Sequence, residues 1–319
     1  MRLLILGGSG FVGRAVADEA VGRGYDVTVF NRGLRAAPAG VTVLTGDRLG
    51  DLSALERGTW DAVVDTWSAQ GEAVRRTAEL LRGRAAHYAY VSSRSVYSGQ
   101  ENEKAEAAPL VDDGDEGYAG DKLRGERGAA AFDGSVLLAR AGLILGPHED
   151  IGRLPWWLNR LARGGPTLAP GPRDNPLQYI DARDLAVFLL DTAARGVGGP
   201  FDLVSRAGHT TMGELLEIAN EVTGGRAELR WTDPAVIETA GIEPWTQLPI
   251  WLPPGELHVF LHGGDVSKAY GEGLLCRPVR ATIEDTWAWL TSLPGDVPQR
   301  ADRPAVGVDP AVEAKVLGE

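Results

Sequence analysis

Met1-Arg-Leu-Leu-Ile-Leu-Gly-Gly-Ser-Gly-Phe-Val-Gly13 reads as a buried strand that runs into a glycine-rich turn and then a helix. The apolar run Leu3 to Leu6 is too short for a helix, and the glycines that close it permit backbone angles other residues avoid. Phe11, Val12, Ala15, Val16 and Ala20 then recur at helical spacing. Glycines 7, 8, 10 and 13 satisfy both the G-x-G-x-x-G and the G-x-x-G-x-x-G spacing, so the backbone can approach a pyrophosphate whose charge faces N–H groups at the helix start. A glycine motif alone is a weak signal, and the plainer alternative is a tight turn that binds nothing. Its place between a strand and a helix marks a dinucleotide site, with Gly7, Ser9, Gly10, Phe11, Val12 and Gly13 as the expected contacts.

Composition narrows the class. The chain has 319 residues, 44% of them hydrophobic, enough for a large core in one domain or two. A net charge of −12 argues against nucleic acid or an anionic membrane as the main partner, leaving a small-molecule substrate. The single cysteine, Cys276, forbids an intramolecular disulfide and fits a reducing cytoplasm. The chain opens without a charged leader segment or cleavage site, and no apolar run reaches about 18 residues. A cytoplasmic protein, neither exported nor inserted in a membrane, is expected.

Strands alternate with helices, which predicts an α/β fold with a doubly wound parallel sheet of the Rossmann type. Strands are expected at Asp26 to Phe30, Val41 to Leu44, Asp61 to Asp65, His87 to Val91 and Val136 to Ala139, with helices at Glu72 to Leu81 and Tyr118 to Ala131. After Glu149 the rhythm changes. Residues 1–150, with 177–205 returning, are expected to form the dinucleotide domain; 151–176 and 206–319 form a smaller substrate lobe and tail. Gln178 to Asp184, the helix after it through Ala194, and Phe201 to Val204 are expected back at the sheet. Pro294 to Pro304 reads as a surface strap and Pro310 to Leu317 as a terminal helix.

The second strand ends Val29-Phe30-Asn31-Arg32-Gly33, where an NAD enzyme usually carries a carboxylate for the adenosine ribose. Nothing there repels a 2′-phosphate, and Arg32, with Arg35, can pair with it. NADP is therefore expected over NAD, with Asn31 and Arg32 among the contacts. Asp47 is placed to meet the adenine edge or to cap the turn that follows. The chemistry sits further on. Val91-Ser-Ser-Arg-Ser-Val-Tyr97 follows a strand, and Tyr118-Ala-Gly-Asp-Lys122 opens a helix that sets Tyr118 and Lys122 one turn apart on one face. A tyrosine is a poor acid or base until a neighbouring ammonium stabilises its phenolate, and Lys122 supplies that charge. A strand-end serine can then bond the reacting oxygen while Tyr118 moves its proton and a hydride passes to or from nicotinamide.

On these motifs the chain resembles the extended short-chain dehydrogenase/reductase superfamily, the group labelled NAD-dependent epimerase/dehydratase, over nearly its whole length. Asn31-Arg-Gly33, Gly46-Asp-Arg48, Leu143-Ile-Leu-Gly-Pro-His148, the run Ala162-Arg-Gly-Gly165 to Ala169-Pro-Gly171 and Gln178-Tyr-Ile-Asp-Ala-Arg-Asp184 resemble its bacterial reductase-like members. The resemblance implies that Ser93, rather than Ser92 or Ser95, is the active serine, that Tyr118 is the acid/base, and that Lys122 also holds the nicotinamide ribose. Family members often have Asn-Ala-Ala-Gly after the fourth strand; this chain has Asp65-Thr-Trp-Ser68, with Trp67 as an expected pocket wall. Dehydratases of the group follow the active threonine with Asp-Glu, where this chain has Arg94-Ser95, which counts against dehydration. Homodimers are common in the superfamily.

Three functions stand at this level. The first is an NADPH-dependent reductase of a carbonyl, C=N or activated C=C group in a small, partly apolar metabolite. Trp67, Ser93, His148, Trp156 and Trp157, with Trp245 and Trp251, are the expected substrate residues, although tryptophans serve core packing as readily. The second is a sugar-nucleotide epimerase with tightly bound NAD, whose substrate diphosphate would need cations such as Arg153, Arg160, Arg163 and Arg206. The third is a non-catalytic nucleotide-binding regulatory or RNA-associated protein. No metal is expected: His258 and His262 are four apart, but the glycines at 263 and 264 argue against a rigid helix there. The acidic run Glu101 to Glu116 reads as a solvated loop leading to Tyr118, or a lid.

Overall fold

The computed structural model describes residues 1–99, 106–112, 114–295, 297, 299–300 and 303–318. The chain divides into two compact units, one made of Met1–Gly142, Ala182–Val204 and Asp265–Leu275, the other of Leu143–Asp181, Ser205–Gly264 and Cys276–Glu319. The change of unit falls eight residues before the position expected from sequence, and the 265–275 segment joins the first unit rather than the lobe.

In chain order the first unit starts with β1 (Arg2–Leu6), α1 (Phe11–Gly22), β2 (Asp26–Asn31), β3 (Thr42–Thr45), β4 (Ala62–Asp65), α2 (Gly71–Leu80), β5 (His87–Ser93), α3 (Tyr118–Ala129) and β6 (Ser135–Ala141). Then come β7 (Leu143–Leu145), α4 (Arg153–Arg163), β8 (Gly165–Pro170), β9 (Pro176–Leu177) and β10 (Tyr179–Asp181) of the second unit. The chain returns to the first unit through α5 (Ala182–Arg195) and β11 (Gly199–Leu203). It continues with β12 (Thr210–Thr211), α6 (Met212–Val222), β13 (Ala227–Thr232), α7 (Pro234–Thr239), β14 (Pro244–Trp245), β15 (Leu248–Pro249), α8 (Glu256–His262), α9 (Ser267–Gly271), α10 (Val279–Ser292) and α11 (Pro310–Leu317).

In the first unit seven strands form one sheet in the order β11-β6-β5-β4-β1-β2-β3, parallel throughout. Helices cover both faces, which is why β4 and β5 are buried at every position and read as near-continuous apolar runs. Leu4, Leu6, Phe30, Val63, Tyr88 and Tyr90 share one core with Val74 of α2 and Phe132. The strand order reverses between β1 and β4, so the crevice beyond their carboxyl ends is where an open parallel sheet binds its ligand.

The second unit packs Trp157, Leu158 and Leu161 of α4 against Leu216, Trp251 and Ile283. Tyr179–Asp181 was expected at the main sheet; it pairs with β7 inside this unit instead, and only α5 and β11 return. The predicted terminal helix, α11, carries a buried anchor: Glu313 accepts from Arg160 Nε at 2.8 Å and from the Leu168 amide at 3.1 Å. Arg160 is therefore committed to the fold and does not serve a substrate diphosphate. Glu313→Ala leaves that guanidinium buried without its carboxylate and is expected to cost about 3–5 kcal/mol in chemical denaturation, most of it recovered when Arg160 is replaced by Met as well.

Candidate active site

The turn after β1 and the loop after β4 meet at the switch point. Gly7 has φ +126°, and a Cβ there would lie 2.3 Å from Thr66 Oγ1, so only glycine lets the two loops approach this closely. Gly10 stands at the N-terminus of α1, whose first turn has no side-chain cap and no acidic residue. Its N–H groups and helix dipole thus face outward unneutralised, the arrangement that accepts a pyrophosphate. Phe11 and Gly13 are buried behind the turn. The Asn31 amide donates to Ser9 Oγ at 3.0 Å and its Oδ1 accepts from the Gly33 amide at 2.8 Å, which ties the end of β2 to the glycine loop. Arg32 is exposed beside it, and a guanidinium nitrogen of Arg35 comes within 4.0 Å of where a Gly10 Cβ would be. Asp47 accepts from the Leu49 amide at 2.9 Å, so one of its oxygens caps the turn. These features fit a dinucleotide along the crevice.

Tyr118 is the first residue of α3 and is 38% exposed, whereas Lys122, one turn later, is buried. The Lys122 ammonium donates to Trp67 O and Val91 O, both at 2.7 Å, and lies 5.9 Å from the Tyr118 ring centroid. Ser93 ends β5 and caps the short helical turn Arg94–Val96: its Oγ accepts from the Ser95 amide at 3.1 Å and donates to Ser95 Oγ at 3.0 Å. A hydroxyl, a phenol and a fixed cation thus stand at the carboxyl end of the sheet in one unit. By its chemistry a hydroxyl can bond a carbonyl or alcohol oxygen, a phenol can move a proton and a fixed cation can stabilise negative charge.

Behind these groups lie two buried polar networks. Arg48 donates to both oxygens of Asp65, at 2.8 and 2.7 Å, and Asp65 also accepts from Tyr88 Oη at 2.5 Å and from the Trp67 amide at 2.9 Å. Burial pushes the Asp65 carboxyl up, but the Arg48 charge and these hydrogen bonds outweigh it and hold it below the usual carboxylate range. Arg48 also lies 5.4 Å from the Trp67 ring centroid, and the Trp67 indole N–H donates to Gln70 O at 3.0 Å. The expected pocket wall is thus pinned on one side by Arg48, a residue the sequence reading left without a role. An aspartate closing the apolar strand Ala62-Val-Val-Asp65 was the available signal, because a buried carboxylate needs a cation. In the second network Arg140 pairs with Glu126 at 2.8 Å, Ser92 donates to Glu126 at 2.6 Å, and Tyr97 donates to Asp202 at 2.5 Å. Arg94 is buried with its guanidinium 3.5 Å from Asp202, so it turns inward. Glu106 accepts from the Asp202 amide at 3.1 Å, which takes it out of the solvated loop that was expected; Glu101, Glu103 and Asp113 lie outside the described residues.

In the second unit Trp157 and Trp251 are fully buried and donate to Pro249 O and Gly171 O, which makes them core and corrects the expectation that Trp157 lines a pocket. Trp156 is half-buried and lines a cavity of about 510 Å³ with Pro155, Asn159, Arg163 and Gln299. His148 has φ +68° and its ring lies 5.1 Å from that of Trp289. His258 and His262 sit on α8, a helix the following glycines did not prevent; His258 Nε2 donates to Pro176 O at 2.9 Å and His262 Nδ1 accepts from the Gln178 amide at 3.0 Å. Next to His148, Glu149 is buried and accepts from the Arg153 and Leu154 amides at the start of α4, at 2.7 and 3.2 Å. Burial raises its carboxyl to about 7 against the opposing Arg153 charge, with Asp150 raising it further. Its folded pKa lies above the unfolded one, so its contribution to stability is complete below about pH 4.5 and is lost as pH rises through 7, about 3 kcal/mol in all. Glu149→Gln is expected to remove this loss of stability between pH 4.5 and 8, flattening the dependence of melting temperature on pH, while its NH2, which cannot accept from the second amide, lowers the melting temperature at pH 4.5.

The model of the NAD dependent epimerase/dehydratase family matches residues 3–66 and 53–200. The chain belongs to that family. Among solved structures it is similar to the Bordetella bronchiseptica enzyme WbmG in complex with NAD and UDP, at 18% identity and a TM-score of 0.69 over 95% of this chain and 99% of that one. UDP-glucose 4-epimerase from Bifidobacterium longum, in complex with NAD+ and UDP, gives 18% identity and 0.66 over 92% and 99%. UDP-glucuronic acid 4-epimerase from Bacillus cereus, in complex with NAD, gives 15% and 0.65 over 92% and 100%. At these identities the likeness is one of fold. A comparison with curated proteins found no match.

Proposed function

We propose that the protein is an epimerase that uses NAD to invert a secondary alcohol of a nucleotide sugar. The observation that carries this reading is the buried Lys122 ammonium held 5.9 Å from the Tyr118 ring centroid and bonded to Val91 O on β5, the strand that ends at Ser93, in a chain of the epimerase/dehydratase family. A nicotinamide in the crevice supplies a reversible hydride acceptor. The chain's own groups do the rest. Tyr118 takes the hydroxyl proton of the substrate and later returns it; Lys122 stabilises the charge left on the phenol oxygen; Ser93 bonds the same substrate oxygen as it becomes a carbonyl. Elimination of water has less support, because Arg94 and Ser95 carry no carboxylate, and Arg94 pairs inward with Asp202 while the Ser95 hydroxyl accepts from Ser93. The relatives' UDP and NAD complexes support a nucleotide-sugar substrate and NAD as the cofactor.

The end of β2 favours a second reading, an NADPH-dependent reductase of a carbonyl, C=N or activated C=C group. Asn31 and Arg32 stand where a carboxylate would select NAD, and Arg35 reaches toward Gly10. Proton NMR of the protein with UDP-glucose, and separately with other UDP-hexoses and catalytic NAD, decides between them. The epimerase yields a second anomeric signal without net cofactor turnover. A reductase leaves the sugars unchanged and consumes NADPH with a carbonyl substrate.

A further inference from the structure

We propose that Tyr90 is a positioning residue for Lys122, and that Gly125 is the small residue that admits it; the proposal rests on the dinucleotide-binding reading above. Tyr90 lies on β5 with its side chain fully buried, and its hydroxyl has no hydrogen-bond partner among the described residues. A buried phenol so placed loses its hydration without compensation, so its position calls for another physical reason. The Lys122 ammonium supplies one, at 4.9 Å from the Tyr90 ring centroid. Desolvated sites are where a cation gains most from an aromatic face. Lys122 is thus bounded by Trp67 O after β4, Val91 O on β5 and the Tyr90 ring. Burial, then the neighbouring Asp65 charge, push the Tyr90 phenol well above its ordinary range, so the ring it presents is neutral.

Gly125 lies three residues after Lys122 on α3. A Cβ at this position would come 2.1 Å from Tyr90 Oη and 2.5 Å from Cζ, so α3 can carry Lys122 this close to β5 only with glycine at 125. The ring face, and not the hydroxyl, does the holding. Phe at position 90 therefore preserves the function and Leu does not.

The test is titration of the full-length protein with NADPH and with NAD+ by fluorescence and calorimetry, with melting temperatures recorded alongside. Tyr90→Leu is expected to weaken the cofactor that the wild type binds by about tenfold, and Tyr90→Phe by less than about twofold. In a Lys122→Met background Tyr90→Leu is expected to add less than about twofold, because its effect runs through the ammonium. Should Tyr90→Leu fail to fold, Gly125→Ala, which displaces the same ring, takes its place in the cycle with the same expected values. Equal losses in the Phe and Leu variants, or an undiminished Leu effect without Lys122, would overturn the proposal while leaving dinucleotide binding intact. Absence of any binding by the wild type would overturn both.

Discussion

Tyr118→Phe is expected to lower kcat for the reaction at the substrate alcohol or carbonyl by about 10²–10⁴-fold while leaving cofactor affinity within about threefold. The substitution removes one oxygen from a residue that is 38% exposed at the start of α3, so it leaves no buried cavity. What it removes is the proposed proton carrier. Ser93 can still bond the reacting oxygen, and the Lys122 ammonium stays on Trp67 O and Val91 O, so binding survives and proton transfer does not. Lys122→Met acts differently: it takes away the charge beside Tyr118 and the proposed cofactor contact, so kcat and cofactor affinity are expected to fall together. Single-turnover kinetics with titration of each variant separates the two patterns. Full turnover in Tyr118→Phe would contradict the assigned role.

Arg48→Ala is expected to destabilise the first unit by about 3–5 kcal/mol, measured by urea denaturation, because it strands the fully buried Asp65 carboxylate. The damage reaches the site. Asp65 accepts from the Trp67 amide and Arg48 covers the Trp67 ring, while Trp67 O receives a Lys122 hydrogen bond. Loss of Arg48 frees that loop, and weaker cofactor binding should accompany the lost stability. Replacing Asp65 with Asn in the same chain removes the stranded charge and should recover part of the stability but not the loop geometry.

The sequence made the first unit readable because its elements follow from local rules. Leu3 to Leu6 and Ala62 to Asp65 are buried on both faces, so their apolar runs stand out, and the glycine turn and Tyr118-to-Lys122 spacing mark the site on them. The second unit was less legible. Short strands such as β9 and β10 are set by pairing with β12 and β7, far away in the chain, and β14 and β15 are only two residues each, so none shows a local period. Trp157 and Trp251 could not be told from pocket walls because a tryptophan's role depends on where its indole N–H finds an acceptor, here Pro249 O and Gly171 O. The polar supports of the site were hidden for the same reason: Arg48 meets Asp65 across 17 residues, Arg94 approaches Asp202 from 108 positions away and Glu313 reaches Arg160 across 153. No spacing rule connects such pairs; only the folded chain does.

The most direct test is to denature the purified protein and identify the dinucleotide it releases, before and after exhaustive dialysis. An epimerase returns its hydride to the same substrate and has no need to exchange cofactor, so the expected result is about one equivalent of NAD per chain, retained through dialysis. A protein that releases none, and then binds NADPH in rapid exchange and in preference to NAD, would contradict the epimerase and leave the reductase in its place.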